Sequence, residues 1–133
     1  MTDKVPTVVV VDDSATSLSL YQFSIQPLAI NFIGFKSPAE AIPYLQDHQP
    51  DLLFLDIIMP GMDGLSLLRH LRSLALHRDT PVIMVTSKDY AQDRYIAKEL
   101  GAVDFLIKPL RFKEIRELVC RHVEVKPKPS NES

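Results

Sequence analysis

The 133-residue chain has no tryptophan, one cysteine (Cys120), four glycines and a net charge of only −2. Each shortage removes a class of protein. A single thiol cannot close an internal disulfide, so a disulfide scaffold is out and a reducing cytoplasm is the expected setting. The four glycines form neither a P-loop nor a dinucleotide fingerprint, which disfavours nucleotide binding. A charge so near balance argues against a domain that holds nucleic acid or an anionic membrane directly. No apolar run approaches the roughly 18 residues of a membrane span. The N-terminus, Met1-Thr2-Asp3-Lys4, leads into a short apolar run without a cleavage-site pattern, so no secretory signal is expected. What is plentiful is apolar: 46% of residues, enough for one domain of this length to bury a full core.

That apolar content is arranged in short runs. Thr7 to Val11, Leu52 to Leu55, Val82 to Val85 and Val103 to Ile107 are nearly continuous, and Ile30 to Phe35 is a weaker fifth. Continuous rather than alternating runs are what strands of a parallel sheet show when both faces are covered. Helical spacing lies between them: Leu18, Tyr21, Ile25 and Leu28; Leu65, Leu68, Leu71, Leu74 and Ala75; Ile96, Ala97 and Leu100; Phe112, Ile115, Leu118 and Val119. Ser37-Pro38-Ala39-Glu40 reads as a capping box with proline at the first helical position, Asp63 as a cap, and Gly101 as a helix stop. The order βαβαβαβαβα predicts an α/β fold with a doubly wound parallel sheet. The tail from Val125 to Ser133, with Lys-Pro-Lys-Pro and Ser-Asn-Glu-Ser, has no apolar face and reads as an extended linker or a frayed end.

Chemistry-bearing residues fall at the strand ends. Asp12 and Asp13 follow "TVVVV", and Asp56 ends "LLFLD". Ligands of open parallel sheets bind outside those carboxyl ends. If the two strands are neighbours, three carboxylates converge there. Crowded like charges call for a cation, and a hard one such as Mg²⁺ suits a few carboxylates plus water and phosphate oxygens. Helix capping by Asp12 and Asp13 alone would leave Asp56 unexplained. Thr86 ends "VIMVT" and Lys108 follows "VDFLI", adding a hydroxyl and an ammonium suited to a phosphoryl group. Each has an ordinary alternative, because such a threonine often bonds its own backbone and a loop lysine is usually solvated.

The segments "VVVVDDS", "LLFLDIIMPGMDG", "VIMVTS" and "GAVDFLIKP", in this order and spacing, make the chain resemble a response-regulator receiver domain. The resemblance covers about residues 5 to 123 and leaves 124–133 as linker or disordered tail. It implies a flavodoxin-like, five-stranded parallel sheet in the order 2-1-3-4-5. It implies that Asp56 takes a phosphoryl group from a sensor histidine kinase or a histidine phosphotransfer protein. It also implies that Asp12, Asp13, Asp56 and the backbone carbonyl of Ile58 hold Mg²⁺. By the same resemblance, Thr86 is the switch hydroxyl, Phe105 the switch aromatic and Lys108 the partner of the phosphoryl group, with a cis Lys108-Pro109 bond. The face built from the fourth helix, fifth strand and fifth helix then signals to an output domain or docking protein, with dimerisation on phosphorylation possible. Such a module is a phosphoacceptor and not a conventional enzyme.

Two rivals compete with this reading. A Mg²⁺-dependent phosphohydrolase resembling the haloacid dehalogenase group needs a second acid two residues past the nucleophile, where this chain has Ile58. A receiver-shaped interaction module that takes no phosphate should have lost an acid, the hydroxyl or the lysine, and all are present. The remaining features carry ordinary expectations. His48, His70, His77 and His122 lack the i, i+4 ligand spacing and read as solvated surface. Arg69, His70, Arg72, His77 and Arg78 form a basic patch expected to complement a helix dipole and stay in water. Cys120 is expected to pack in, or lie partly exposed on, an amphipathic helix.

Overall fold

The computed structural model describes residues 5–128. Five strands alternate with five helices: β1 (Thr7–Val11), α1 (Ala15–Ile25), β2 (Asn31–Phe35), α2 (Pro38–Asp47), β3 (Leu52–Asp56), α3 (Gly64–Arg72), β4 (Val82–Thr86), α4 (Ala91–Glu99), β5 (Asp104–Ile107) and α5 (Phe112–His122). All neighbours pair in parallel, in the order β2-β1-β3-β4-β5.

The continuous apolar runs are explained by the pleat. Val9, Val11, Leu53, Leu55, Val82 and Met84 face a core shared with Ala41, Leu45, Leu67, Leu68, Leu71 and Ala97 from α2, α3 and α4. The alternate residues Val8, Val10, Leu52, Phe54, Ile83 and Val85 face Tyr21, Ile25, Ile115, Leu118 and Val119 from α1 and α5. Successive side chains thus enter opposite cores, so neither face tolerates a polar residue until the strand ends.

The helix boundaries follow local chemistry. Ser37 Oγ caps α2 by accepting from Glu40 N at 3.1 Å, while Glu40 Oε1 reaches back one residue past the cap and accepts from Lys36 N at 3.1 Å. Asp63 Oδ1 accepts from Ser66 N at 2.8 Å. Past α4, Ala102 N bonds Ala97 O and Gly101 N bonds Lys98 O, which closes the helix as expected. Two stripes ran too far: α1 stops before Pro27 and leaves Leu28 outside, and α3 ends at Arg72, with Ala75–His77 forming a separate 3-10 turn.

The basic patch is not simply solvated. Arg72 folds back and donates to four carbonyls: Nε to Leu100 at 2.8 Å, Nη1 to His77 at 2.7 Å and Thr80 at 2.9 Å, and Nη2 to Gly101 at 3.3 Å. Burial, partly opposed by the Asp79 charge, pulls its pKa below the usual guanidinium range. His77 is fully buried, with Nε2 facing the Leu45 carbonyl and Nδ1 2.9 Å from Thr80 Oγ1. A carbonyl only accepts, so Nε2 carries the proton. Gln49 Nε2 also donates to Thr80 Oγ1, leaving the threonine proton for Nδ1. Exposed helix-end carbonyls need donors: Arg72 serves those left by the ends of α3 and α4, and His77 serves one in the last turn of α2. Replacing Arg72 with alanine should cost about 2–4 kcal/mol, because charge-assisted hydrogen bonds to partly buried carbonyls are lost together. A shift of the urea midpoint at unchanged slope would measure this.

The described part of the tail makes contacts of its own. Val125 packs against the α1/α5 core, Ala29 N bonds Lys126 O and Lys128 N bonds Pro27 O, each at 2.9 Å, with an antiparallel bridge from Leu28 to Pro127. Backbone pairing with the α1–β2 connection holds the chain through residue 128. The rest of the expected linker lies outside the described residues.

Candidate functional site

Sheet register brings the candidate residues to one edge. Val11 pairs with Leu55 and Asp56 with Val85, so Asp12, Asp13 and Asp56 emerge side by side from β1 and β3. Thr86 pairs with Ile107, which places Lys108 just beyond β5 on the same edge. One carboxylate oxygen from each of Asp12, Asp13 and Asp56 lies within 4.8 Å of the others. Asp12 and Asp56 are buried and Asp13 is exposed.

The acids are not spent on helix capping. Ser14 caps α1 by accepting from Ser17 N at 3.1 Å, and Asp12 Oδ1 accepts from Ser14 N at 2.9 Å. Lys108 Nζ bridges the pair, 3.0 Å from Asp12 Oδ2 and 3.3 Å from Asp56 Oδ2. The Asp12 contact has ion-pair distance without hydrogen-bond geometry, so Asp12 Oδ2 is buried with no hydrogen bond. The Lys108-Pro109 peptide is cis, as expected.

The electrostatics follow from this crowding. Burial, then the Asp12 charge, push the Asp56 carboxyl from 3.8 to about 6, against the pull of Lys108 and with a smaller push from Asp13. Burial lowers the Lys108 pKa, but the carboxylates of Asp12 and Asp56 more than offset it, and the ammonium is held above its ordinary value.

Three more residues stand around this centre. Thr86 is buried, and its hydroxyl accepts from Lys88 N at 3.1 Å, so the ordinary threonine behaviour is the one seen here. Phe105, in register with Met84, packs partly buried against the α2/α3/α4 core. Ile58 lies in the loop after β3 with its side chain 46% exposed. Among the described residues no hydrogen bond claims its carbonyl, whereas that of Ile57 accepts from Gly64 N at 3.0 Å. Met59 folds into the core, and Gly61 turns the loop at a φ of 81°, which suits only glycine without strain.

A family model described as the response regulator receiver domain matches residues 8–120. The chain belongs to this family. Receivers are the phosphoacceptor modules of two-component signalling, and they interact with histidine kinases and output domains. This receiver is 39% identical over 111 residues to the cyclic di-GMP phosphodiesterase response regulator RpfG of Xanthomonas campestris pv. campestris, covering 82% of this chain and 29% of that protein. It is 31% identical over 112 residues to the alkaline phosphatase synthesis transcriptional regulatory protein PhoP of Bacillus subtilis, covering 84% of this chain and 46% of that one. The chain thus spans less than half the length of either relative. The fold is that of the chemotaxis protein CheY4 of Vibrio cholerae, with a TM-score of 0.83 at 22% identity over 90% of this chain and all of that one. A response regulator from Thermotoga maritima superposes with a TM-score of 0.78 at 29% identity, over 89% and 97% of the two chains.

The receiver's acidic centre fits a divalent cation on its own terms. Its donors are all hard oxygens, three carboxylates converge, and a buried oxygen of Asp12 lacks a hydrogen bond. No helix among the described residues is long and apolar enough to cross a membrane.

Sequence reasoning passed over one residue that shapes the site. A Cβ at Gly64 would lie 2.1 Å from the Asp56 carbonyl oxygen and 2.9 Å from its carbon. Glycine here lets α3 start against the backbone of the acceptor strand. The Asp63-Gly64 pair was legible only as a helix start.

Proposed function

We propose that Asp56 of this receiver accepts a phosphoryl group from the phosphohistidine of a sensor kinase or histidine phosphotransfer protein. The observation that carries the reading is the meeting of Asp12, Asp13, Asp56 and Lys108 at the carboxyl edge of the sheet, within one centre. An oxygen of ionised Asp56 forms the new bond to phosphorus as the bond from phosphorus to the donor imidazole breaks, and the imidazole nitrogen takes the departing electron pair. Asp12, Asp13, Asp56 and the carbonyl of Ile58 would hold Mg²⁺. When bound, the cation offsets charge on the transferring oxygens and favours ionised Asp56. Lys108, already poised between Asp12 and Asp56, turns its ammonium to a phosphoryl oxygen.

Thr86 then turns its hydroxyl toward the phosphoryl group, its loop shifts, and Phe105 moves inward. The α4–β5–α5 face changes and is read by an output domain or a docking protein, with dimer formation one possible readout. A few kcal/mol of bias suffices for such a two-state change. The domain works in the cytoplasm and acts as an acceptor rather than as an enzyme with its own small-molecule substrate. Transfer from a phosphohistidine donor or from phosphoramidate tests the reading: labelling should require Mg²⁺ and stop with a chelator. Labelling indifferent to the chelator, or turnover of small phosphate esters, would oppose it.

Ile58 also bears on phosphoryl lifetime. Its exposed side chain cannot hydrogen-bond an attacking water and shields the acyl phosphate, so self-hydrolysis is slow. Ile58→Asn should shorten the half-life of the phosphorylated form several-fold, read by phosphate release after donor removal.

A further inference from the structure

Asp89, Arg94 and Phe105 form a contact outside the acidic centre. Arg94, on α4, grips Asp89 in the β4–α4 loop with two parallel bonds, Nε to Oδ1 at 2.5 Å and Nη2 to Oδ2 at 3.1 Å. The same guanidinium lies over the Phe105 ring, its Cζ 4.6 Å from the centroid. A planar guanidinium can do both, because the edge serves the carboxylate and the face serves the ring. Phenylalanine has no polar atom, so no hydrogen bond fixes this ring.

The helix that carries Arg94 is lightly held. Its N-cap, Tyr90, makes no side-chain capping bond, and Ala97 is its one buried residue. Asp89 is three residues from Thr86, and Lys88, between them, donates its N–H to the Thr86 hydroxyl. A short tether therefore joins the hydroxyl at the strand end to the carboxylate that grips Arg94.

We propose that Arg94 is a positioning residue for Phe105: held by Asp89, it keeps the ring in its present place and sets the resting side of the switch. This rests on the receiver reading above. Movement of Thr86 toward phosphorylated Asp56 drags Lys88 and Asp89, loosens the fork and uncovers the ring. Exposed ion pairs and cation–π contacts are individually weak, so the device biases the equilibrium and does not lock it. Removing it should change the resting populations roughly two- to five-fold, the size of one such contact.

The test is fluorine NMR of the protein labelled with fluorophenylalanine, with the Phe105 signal assigned by its loss in Phe105→Leu. Spectra are compared for the free protein and with Mg²⁺ and beryllofluoride, a phosphoryl mimic. Arg94→Gln and Asp89→Asn should each move the free-protein signal toward the beryllofluoride position. Each should also lower the half-saturating beryllofluoride concentration two- to five-fold. The two side chains are 46% and 50% exposed, so neither change threatens the fold. A wild-type Phe105 signal that responds to beryllofluoride while both variants match wild type overturns the role of Arg94 and leaves the receiver reading intact. A wild-type signal that never responds overturns the switch itself, and the proposal with it.

Discussion

Replacing Asp56 with asparagine is expected to abolish phosphoryl acceptance while raising the stability of the metal-free domain at neutral pH. The first effect follows because the amide offers no ionised oxygen to attack phosphorus. The second follows from linkage. The Asp56 carboxyl titrates at about 6 in the fold against 3.8 for an unperturbed one, through burial and the neighbouring Asp12 charge. The folded state therefore holds this proton more tightly than the unfolded chain. The penalty is absent below about pH 4, grows as pH rises toward 6, and is constant above that. A shift of about two units, in which the opposing pull of Lys108 is already counted, caps it at roughly 3 kcal/mol. Urea denaturation in chelator should give the asparagine variant the higher midpoint at pH 7.5 and no advantage near pH 4. A lower midpoint at pH 7.5 would mean that the ionised acid stabilises the resting fold.

Gly64→Ala should damage both stability and chemistry. The added carbon meets main-chain atoms, 2.1 Å and 2.9 Å away in Asp56 and 3.1 Å away at Ile57 Cα. None can move as a side chain would, so α3 or the acceptor loop must shift. Overpacking of this kind costs about 1–3 kcal/mol. Displacement of a reacting group by an ångström can cost on the order of 100-fold in rate. Phosphorylation by phosphoramidate at saturating Mg²⁺ should accordingly slow by about ten-fold or more. Gly61→Ala is the control. Its φ of 81° strains an alanine, but nothing lies within 4 Å of the added carbon, so it should cost about 1 kcal/mol and leave the rate nearly unchanged. Equal rate losses in the two variants would refute the steric account.

The sequence carried the sheet and the acidic centre because both are written along single strands. "TVVVV" followed by two aspartates, and "LLFLD", say at once where each strand is buried and where it ends. What it could not carry depends on distant carbonyls and on pairs without a regular spacing. The donors of Arg72 reach Leu100, 28 residues away, and the bonds that hold the tail use peptide groups common to every residue. Basic residues in "RHLRSLALHR" look alike whether they meet water or orphan carbonyls. Asp89 and Arg94, five apart and straddling a helix start, match neither helical pair spacing, and their meeting with Phe105 exists only once β5 lies beside α4.

The most direct test is to locate the phosphoryl group. After reaction with a phosphohistidine donor and Mg²⁺, the protein should gain the mass of one phosphoryl group. Reduction with borohydride, which converts an aspartyl phosphate to homoserine, should mark residue 56 alone. A phosphoryl group on a histidine or serine, on another aspartate, or on none at all would contradict the account.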